Sequence, residues 1–385
     1  MRKIRVLYFV PCFGTGGAER LVLDLCRLLD PARFETYVCS YQAGSFEPEL
    51  KRSGRELFTL MEGDSPRSSS LTKGLSFARR VSKFNRIIRD NEIDIVHTNY
   101  IGPLLHTVLC RLTNPRLRWI HTEHNPPNLE IYAPALVNLA RPLFRFTDAI
   151  LGITDAVSRY FLDTVKISPA KVFTVYNGVN VKAISSFQGR EGKRRELGFA
   201  PADKVIGIVA NLRPEKCHAD LLQAFALLLG QPGHQNYHLV LAGEGACRDE
   251  LVQLSDTLGI AGNTRFLGHR LDAHELMSVF DVYCLPSRYE GMPLSVLEAW
   301  AAGKPVVATD VRGINALVKH RENGLLVEHG NPGKLAEGLL ALLDDDLLAG
   351  RLAAAGRELA LRECDADDMV RKYESVYEQV VLKRG

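Results

Sequence analysis

No stretch of this 385-residue sequence approaches the roughly 18 consecutive apolar residues that a membrane-spanning helix requires. A helical span is excluded, which leaves only peripheral contact with a membrane. The chain also has no CxxC pair and no cysteine–histidine cluster of zinc-ligand spacing. Its eight cysteines (12, 26, 39, 110, 217, 247, 284 and 364) are scattered, several inside apolar runs, and read as reduced core thiols of a cytosolic protein. A large net charge is missing as well: 48 Lys and Arg against 45 Asp and Glu give +3, no global reason for a polyanionic partner. The balance is uneven, because Ser65 to Arg118 holds ten basic and three acidic residues. Neither a repeat of fixed period nor a low-complexity tract is visible.

What is present is ample core material, at 46% hydrophobic composition, in a chain too long for one ordinary core. The opening MRKIRVLYFV is apolar only from Val6 to Val10 before Pro11, so it reads as a first strand and not as a secretory leader. Short β-branched runs then alternate with helical periodicity, which predicts parallel sheets flanked by helices. The first half offers IRVLYFV, ETYVCSY, ELFTL, DIVHTN, RWIHT, AILGIT and VFTVYN as strands. VIGIVA, HLVLAG, RFLG, VYCLP, PVVATD and GLLVE follow in the second. The polar VKAISSFQGREGKRRELGFAPADK between them is the best linker, which places a domain boundary near residue 190.

The loop PCFGTGGAERL joins the first strand to a helix with Leu21, Leu25 and Leu28 on one face. Ligands of open parallel sheets bind at such strand ends, where glycines admit a phosphate to backbone N–H groups at a helix N-terminus. A dinucleotide fingerprint would need a third glycine where Glu19 stands, and a Walker loop would need Gly-Lys-Ser/Thr where Glu19-Arg20 stands. NAD binding and ATP hydrolysis are both disfavoured. In NLRPEKCHADLLQAF, Arg213 and Lys216 lie between a strand and the helix Leu221 to Leu229, placed to hold a diphosphate. In SRYEGMPLSVLEAWAAGKPVVATD, Glu290 lies in a loop after a strand, Pro293 suits a first helical turn, Glu298 falls inside that helix and Gly303 suits its end. Two acids would repel phosphate and are suited to accept hydrogen bonds from hydroxyls. A ligand with both a diphosphate and many hydroxyls is a nucleotide sugar.

With these residues in place the chain resembles glycosyltransferase family 4, the group 1 glycosyltransferases with the two-Rossmann GT-B fold. The likeness covers nearly the whole length through GTGGAER, HTEHN, VYNGVN, NLRPEK, LAGEG, FLGHR, EGMPLSVLEAWAAGKPVVATD and NGLLV. Glu290 and Glu298, with seven residues between them, match the family's Glu-x7-Glu signature. The resemblance implies an α/β fold of two Rossmann-like domains facing across a cleft, with an acceptor-binding domain at 1–190, a nucleotide-sugar-binding domain at 191–365, and a helix at 366–385 returning to the first domain. It implies a retaining hexosyltransferase that needs no metal or other cofactor. The donor would be UDP- or GDP-linked, and the acceptor a glycan, glycolipid or lipid-linked sugar. His124, Arg213, Lys216 and Glu290 would be catalytic; Gly16, Gly17, Gly268, His269, Arg270, Gly291, Met292, Leu294 and Glu298 would bind the donor. Retention often uses a carboxylate nucleophile, but the family gives neither glutamate that role, so front-face attack is expected. A nucleotide-sugar epimerase or hydrolase would instead form product without an acceptor. A scaffold that has lost turnover would bind and not react.

Three positions depart from the family pattern: Cys217 and Arg312 stand where glycine is usual, and Ala316 where glutamate is frequent. Asp365 to Asp368 contain an Asp-x-Asp that imitates a metal motif, but its place before the last helix suits capping, and Asp344 to Asp346 similarly suit a helix end. In FARRVSKFNRIIRD, Phe77, Val81, Phe84 and Ile88 form an apolar stripe with Arg79, Arg80, Lys83 and Arg86 largely opposite. Such a basic face suits the inner surface of an anionic membrane, with the protein otherwise cytoplasmic and no nucleic acid as partner.

Overall fold

A computed structural model of the chain describes residues 2–14, 16–61, 70–124 and 134–382. It divides into two compact units, residues 1–176 with 369–385, and residues 177–368. The first contains a seven-stranded parallel sheet of β1 (Ile4–Cys12), β2 (Phe34–Gln42), β3 (Leu57–Thr59), β4 (Ile95–Asn99), β5 (Arg118–Glu123), β6 (Ala149–Gly152) and β7 (Val172–Thr174). Their spatial order is β3-β2-β1-β4-β5-β6-β7. The second holds β8 (Lys204–Val209), β9 (Tyr237–Ala242), β10 (Thr264–Gly268), β11 (Val282–Leu285), β12 (Val306–Thr309) and β13 (Leu325–Val327), in the order β10-β9-β8-β11-β12-β13. Each is a doubly wound Rossmann-like domain. The strand order reverses beside β1 and beside β8, and at such points the diverging loops open a crevice at the strands' C-terminal ends.

The sheet cores follow from the uninterrupted apolar strands, since a parallel sheet is covered on both faces. Side chains alternate across β1: Val6, Tyr8 and Val10 join one buried cluster, Leu7 and Phe9 another. The second cluster includes Phe84 and Ile88 of the helix Ser70–Asp90, with Val81 against it, so the helix's apolar stripe lies on the sheet. Arg79 and Arg86 on the same helix are exposed. In the helix Gly17–Leu28, Leu21 and Leu25 are buried as expected, whereas Leu28 is 39% exposed. Val22, Cys26 and the following Leu29 complete the buried face instead, because the helical repeat carries position 28 past the sheet.

The boundary falls between Tyr176 and Asn177, before the expected residue 190. The segment expected to be linker carries Val181, Ile184 and Phe199, all buried in the second unit, and Val179 just before it pairs with Asp365 as an isolated bridge. Three well-placed apolar side chains outweigh its polar composition. The last helix, Ala366–Leu382, places Met369, Val370, Tyr373, Val376, Tyr377 and Val380 in the core cluster of the first unit. That i, i+3, i+4 spacing lines one face. Tyr377 Oη lies 3.0 Å from Tyr8 Oη and 2.7 Å from His97 Nδ1. Glu374 accepts from Arg33 at 2.9 Å and from the backbone N–H of Asp30 at 2.9 Å.

Asp345 caps the helix Asp346–Glu363 by accepting from the Leu348 N–H, and Asp365 accepts from the Asp367 N–H at 2.9 Å. None of the eight cysteines is in a disulfide, but only five are core residues: Cys12 is exposed, and Cys217 and Cys247 are half-buried. No described helix is long and apolar enough to cross a membrane.

Candidate active site

In the second unit the loops after β8 and β11 bring the expected cation and carboxylate together. After β8 the chain makes a short 3-10 turn, Pro214–Lys216, before the helix His218–Leu229. Lys216 Nζ reaches Glu290 Oε1 at 2.6 Å, with side-chain exposures of 22% and 10%. Ser287 donates its hydroxyl to the same oxygen at 2.7 Å. Neither bond uses Oε2, which leaves that atom for a further donor. The loops are tied through their backbones as well, since the Arg288 N–H donates to the Glu215 carbonyl at 2.8 Å. Arg213 precedes the turn and is exposed.

Gly313 fixes the other side of the Glu290 loop. It adopts φ +88°, and a Cβ there would collide with the Glu290 carbonyl. Only glycine combines that conformation with such an approach. The Glu290 N–H donates to the Arg312 carbonyl at 3.2 Å, a backbone role that arginine fills as well as glycine. Pro293 stands just before the helix Leu294–Ala301, not within its first turn, and Gly303 follows the helix at φ +69°. Met292 is buried, with Sδ accepting from the Asn177 N–H at 3.3 Å. Gly291, Leu294 and Glu298 are half-buried. Burial first, and then the charges of Glu290 and Glu298, push the Tyr283 hydroxyl far above its ordinary range, so both carboxylates act on one buried phenol.

Gly268 closes β10 with φ +68°. Arg270, two residues on, has its guanidinium engaged: it donates to Asp272 at 2.7 and 2.6 Å and to Glu196 at 3.4 Å. Those bonds hold the Asp272 carboxyl well below the usual range. The Arg270 side chain is thus committed within the second unit.

In the first unit, Gly16 precedes the helix Gly17–Leu28 with extended backbone. The Glu19 side chain folds back against it, so a Cβ at Gly16 would strike the carboxylate, while one at Gly17 would meet nothing. The glycine at 16 thus serves the helix's own first turn; the open approach is at Gly17. His124 directly follows β5 and is almost fully buried. Its Nε2 lies 2.9 Å from Asn99 Oδ1, its backbone N–H donates to Glu123 Oε1 at 3.0 Å, and the Tyr100 ring lies 5.0 Å away. Because Oδ1 can only accept, Nε2 carries the proton and Nδ1 keeps the lone pair. Burial, helped by His121, lowers His124 to about 3, so it is a neutral hydrogen-bonding group at pH 7.

These features coincide with two family matches. Residues 15–183 match Glycosyltransferase Family 4, and residues 189–359 match Glycosyl transferases group 1. The lipopolysaccharide core biosynthesis glycosyltransferase LpsD of Rhizobium meliloti is 31% identical over 97% of this chain and 98% of its own. The chain is a group 1 glycosyltransferase. The glycosyltransferase is also 27% identical, over 90% of its length and 92% of the relative, to the N-acetylgalactosamine-N,N'-diacetylbacillosaminyl-diphospho-undecaprenol 4-alpha-N-acetylgalactosaminyltransferase of Campylobacter jejuni. Its fold matches Anabaena HepE, solved with UDP-glucose, at TM-score 0.83 and 23% identity over 98% of this chain and 100% of that one.

Several residues beside the expected site residues of each unit carry no signal in the sequence. Asn99 ends a strand that already holds His97 and Thr98, and Ser287 stands two residues past the end of β11, so neither is set apart by its type or spacing. His218 is buried with both ring nitrogens unpartnered among the described residues. Burial, then the neighbouring Lys216 charge, lowers it to about 4. Cys217 has φ +51°, the left-handed conformation that explains the family's glycine there. Holding a side chain in that region costs roughly 1–2 kcal/mol.

Proposed function

We propose that this glycosyltransferase moves a hexose from a UDP- or GDP-linked donor to a glycan, glycolipid or lipid-linked acceptor, with retention and without a metal ion. The observation that carries the reading is the 2.6 Å pair of Lys216 and Glu290, an ammonium beside a carboxylate where the loops after β8 and β11 meet. Lys216 and Arg213 neutralise the departing diphosphate, where negative charge grows as the glycosidic bond breaks. Glu290 accepts from hydroxyls of the donor sugar, and Glu298 from those of the ribose. Gly17, Gly291, Met292, Leu294 and the backbone of Gly268, His269 and Arg270 complete the donor contacts. His124 offers a hydrogen bond, not a charge, to the reacting groups. The leaving phosphate oxygen takes the acceptor's proton as attack occurs on the same face. The LpsD and Campylobacter relatives support a lipid-borne acceptor, and HepE supports a uridine donor.

Calorimetry with UDP, GDP, ADP and their sugars, followed by turnover with the tightest donor, tests this. The expected result is acceptor-dependent product of retained configuration, at a rate unchanged by EDTA. Inverted product, product without acceptor, or activity lost to EDTA and restored by a divalent ion would each overturn the corresponding part.

We further propose that the exposed basic face of the helix Ser70–Asp90 holds the enzyme at an anionic membrane, at roughly 1 kcal/mol per basic residue near the surface. Liposome flotation should show preference for anionic over neutral vesicles, and weaker preference in Arg79→Gln/Arg86→Gln. Equal flotation on both vesicle types would remove membrane contact from the reading.

A further inference from the structure

We propose that Cys217, Asp220 and His329 of the second unit form a binding site for a borderline-soft divalent cation of the zinc class. Each residue offers one ligand atom, and these atoms lie within 4.8 Å of one another. Sulfur, imidazole nitrogen and carboxylate oxygen are the donor types that zinc takes, at about 2.0–2.3 Å from the ion. Three protein ligands leave a fourth tetrahedral position for water.

The topology explains how residues so distant in sequence meet. Cys217 directly precedes the helix His218–Leu229, and Asp220 lies three residues on, on the same helical face. His329 follows β13 and precedes the helix Pro332–Asp344, which packs alongside the first helix. Both helices thus begin at the C-terminal edge of one sheet, and the three side chains converge there. All three are half-buried. His329 Nδ1 is buried with no hydrogen-bond partner, and Cys217 Sγ makes long contacts to the carbonyls of Pro214 at 3.5 Å and Glu215 at 3.7 Å.

The charges close on binding. The Cys217 thiol releases its proton to solvent as the metal–sulfur bond forms, Asp220 supplies a second negative charge and His329 a neutral lone pair, so two negative charges meet a dication. Burial raises both the Cys217 thiol and the Asp220 carboxyl, and the nearby Arg288 offsets part of that. A cation with direct bonds does so more strongly. Because Cys217 adjoins Lys216, the ion would clamp the Pro214–Lys216 turn to the loop after β13.

The test uses reduced, chelator-stripped full-length protein, with Zn2+ competed against a chromogenic chelator and Co2+ followed by its thiolate charge-transfer absorption. One equivalent should bind. His329→Gln and Cys217→Gly should each weaken zinc by about tenfold or more, and Cys217→Gly should abolish the cobalt band. Glycine suits φ +51° at 217, so that variant retains the fold, as circular dichroism would check. Cys12→Ser/Cys247→Ser, which removes the other accessible thiols, should bind like wild type. No zinc uptake by wild type, or equal affinity in Cys217→Gly/His329→Gln, would overturn the site. The readout involves no sugar transfer, so its failure and that of the proposed reaction are separable.

Discussion

Glu290→Ala is expected to yield a folded enzyme that transfers sugar about 10²–10³-fold more slowly, the usual loss when one preorganised polar group of a reaction centre is removed. The carboxylate is held by Lys216 at 2.6 Å and Ser287 at 2.7 Å, and it is 10% exposed. On the proposed reading, truncation removes the acceptor for donor hydroxyls and also releases the ammonium assigned to the diphosphate. Both kcat and donor affinity should fall. Glu290→Gln keeps shape and an acceptor oxygen but loses the charge, so it should retain donor binding better than alanine while remaining slow. Stability should drop by only about 1–3 kcal/mol, the worth of hydrogen bonds to a charged group. Unchanged turnover in the alanine variant, with its true donor, would refute the assigned role.

Mild acid should start to destabilise this protein from about pH 6.5 downward, above the range where its carboxylates titrate. Burial lowers His124 to about 3 and His106 and His218 to about 4, with His97 also well below the ordinary value of 6.5. Between pH 6.5 and about 4 the unfolded chain therefore binds protons that the folded chain refuses. Stability falls as pH falls, by up to about 1.4 kcal/mol per pH unit for each histidine. Three or four such groups exhaust a stability of about 5–15 kcal/mol within two or three units. Lys304 acts with the same sign at higher pH: burial lowers it to about 7, so stability rises from there toward its ordinary 10.5. Urea midpoints at pH 8, 6.5 and 5.5 should decline steadily, and His218→Gln should flatten the slope by one proton. A midpoint constant across that range would defeat the argument.

Much of the fold was legible because parallel strands buried on both faces leave unbroken apolar runs, as Val6 to Val10 and Val205 to Val209 do. The boundary was less legible, because Val181, Ile184 and Phe199 are too few to show above their polar neighbours. At the site, Lys216 and Glu290 could be paired in advance by charge logic, since a diphosphate needs cations and sugar hydroxyls need acceptors. Ser287 and Asn99 could not, because their roles depend on which loop ends meet. The left-handed backbone at Cys217 is marked in the sequence only as a departure from glycine. Its approach to His329 is invisible to any spacing rule, because two neighbouring helices create it.

The first unit is assembled from two stretches of chain that flank the second, and that bears on its birth at the ribosome. All seven of its strands are made before residue 177, yet Tyr373 and Tyr377, which seal the sheet against Tyr8 and His97, are made only after the whole second unit. The second unit is continuous and emerges complete in between. The earlier-made domain must therefore wait, with an aromatic-lined groove unsealed, until translation of its younger neighbour is finished.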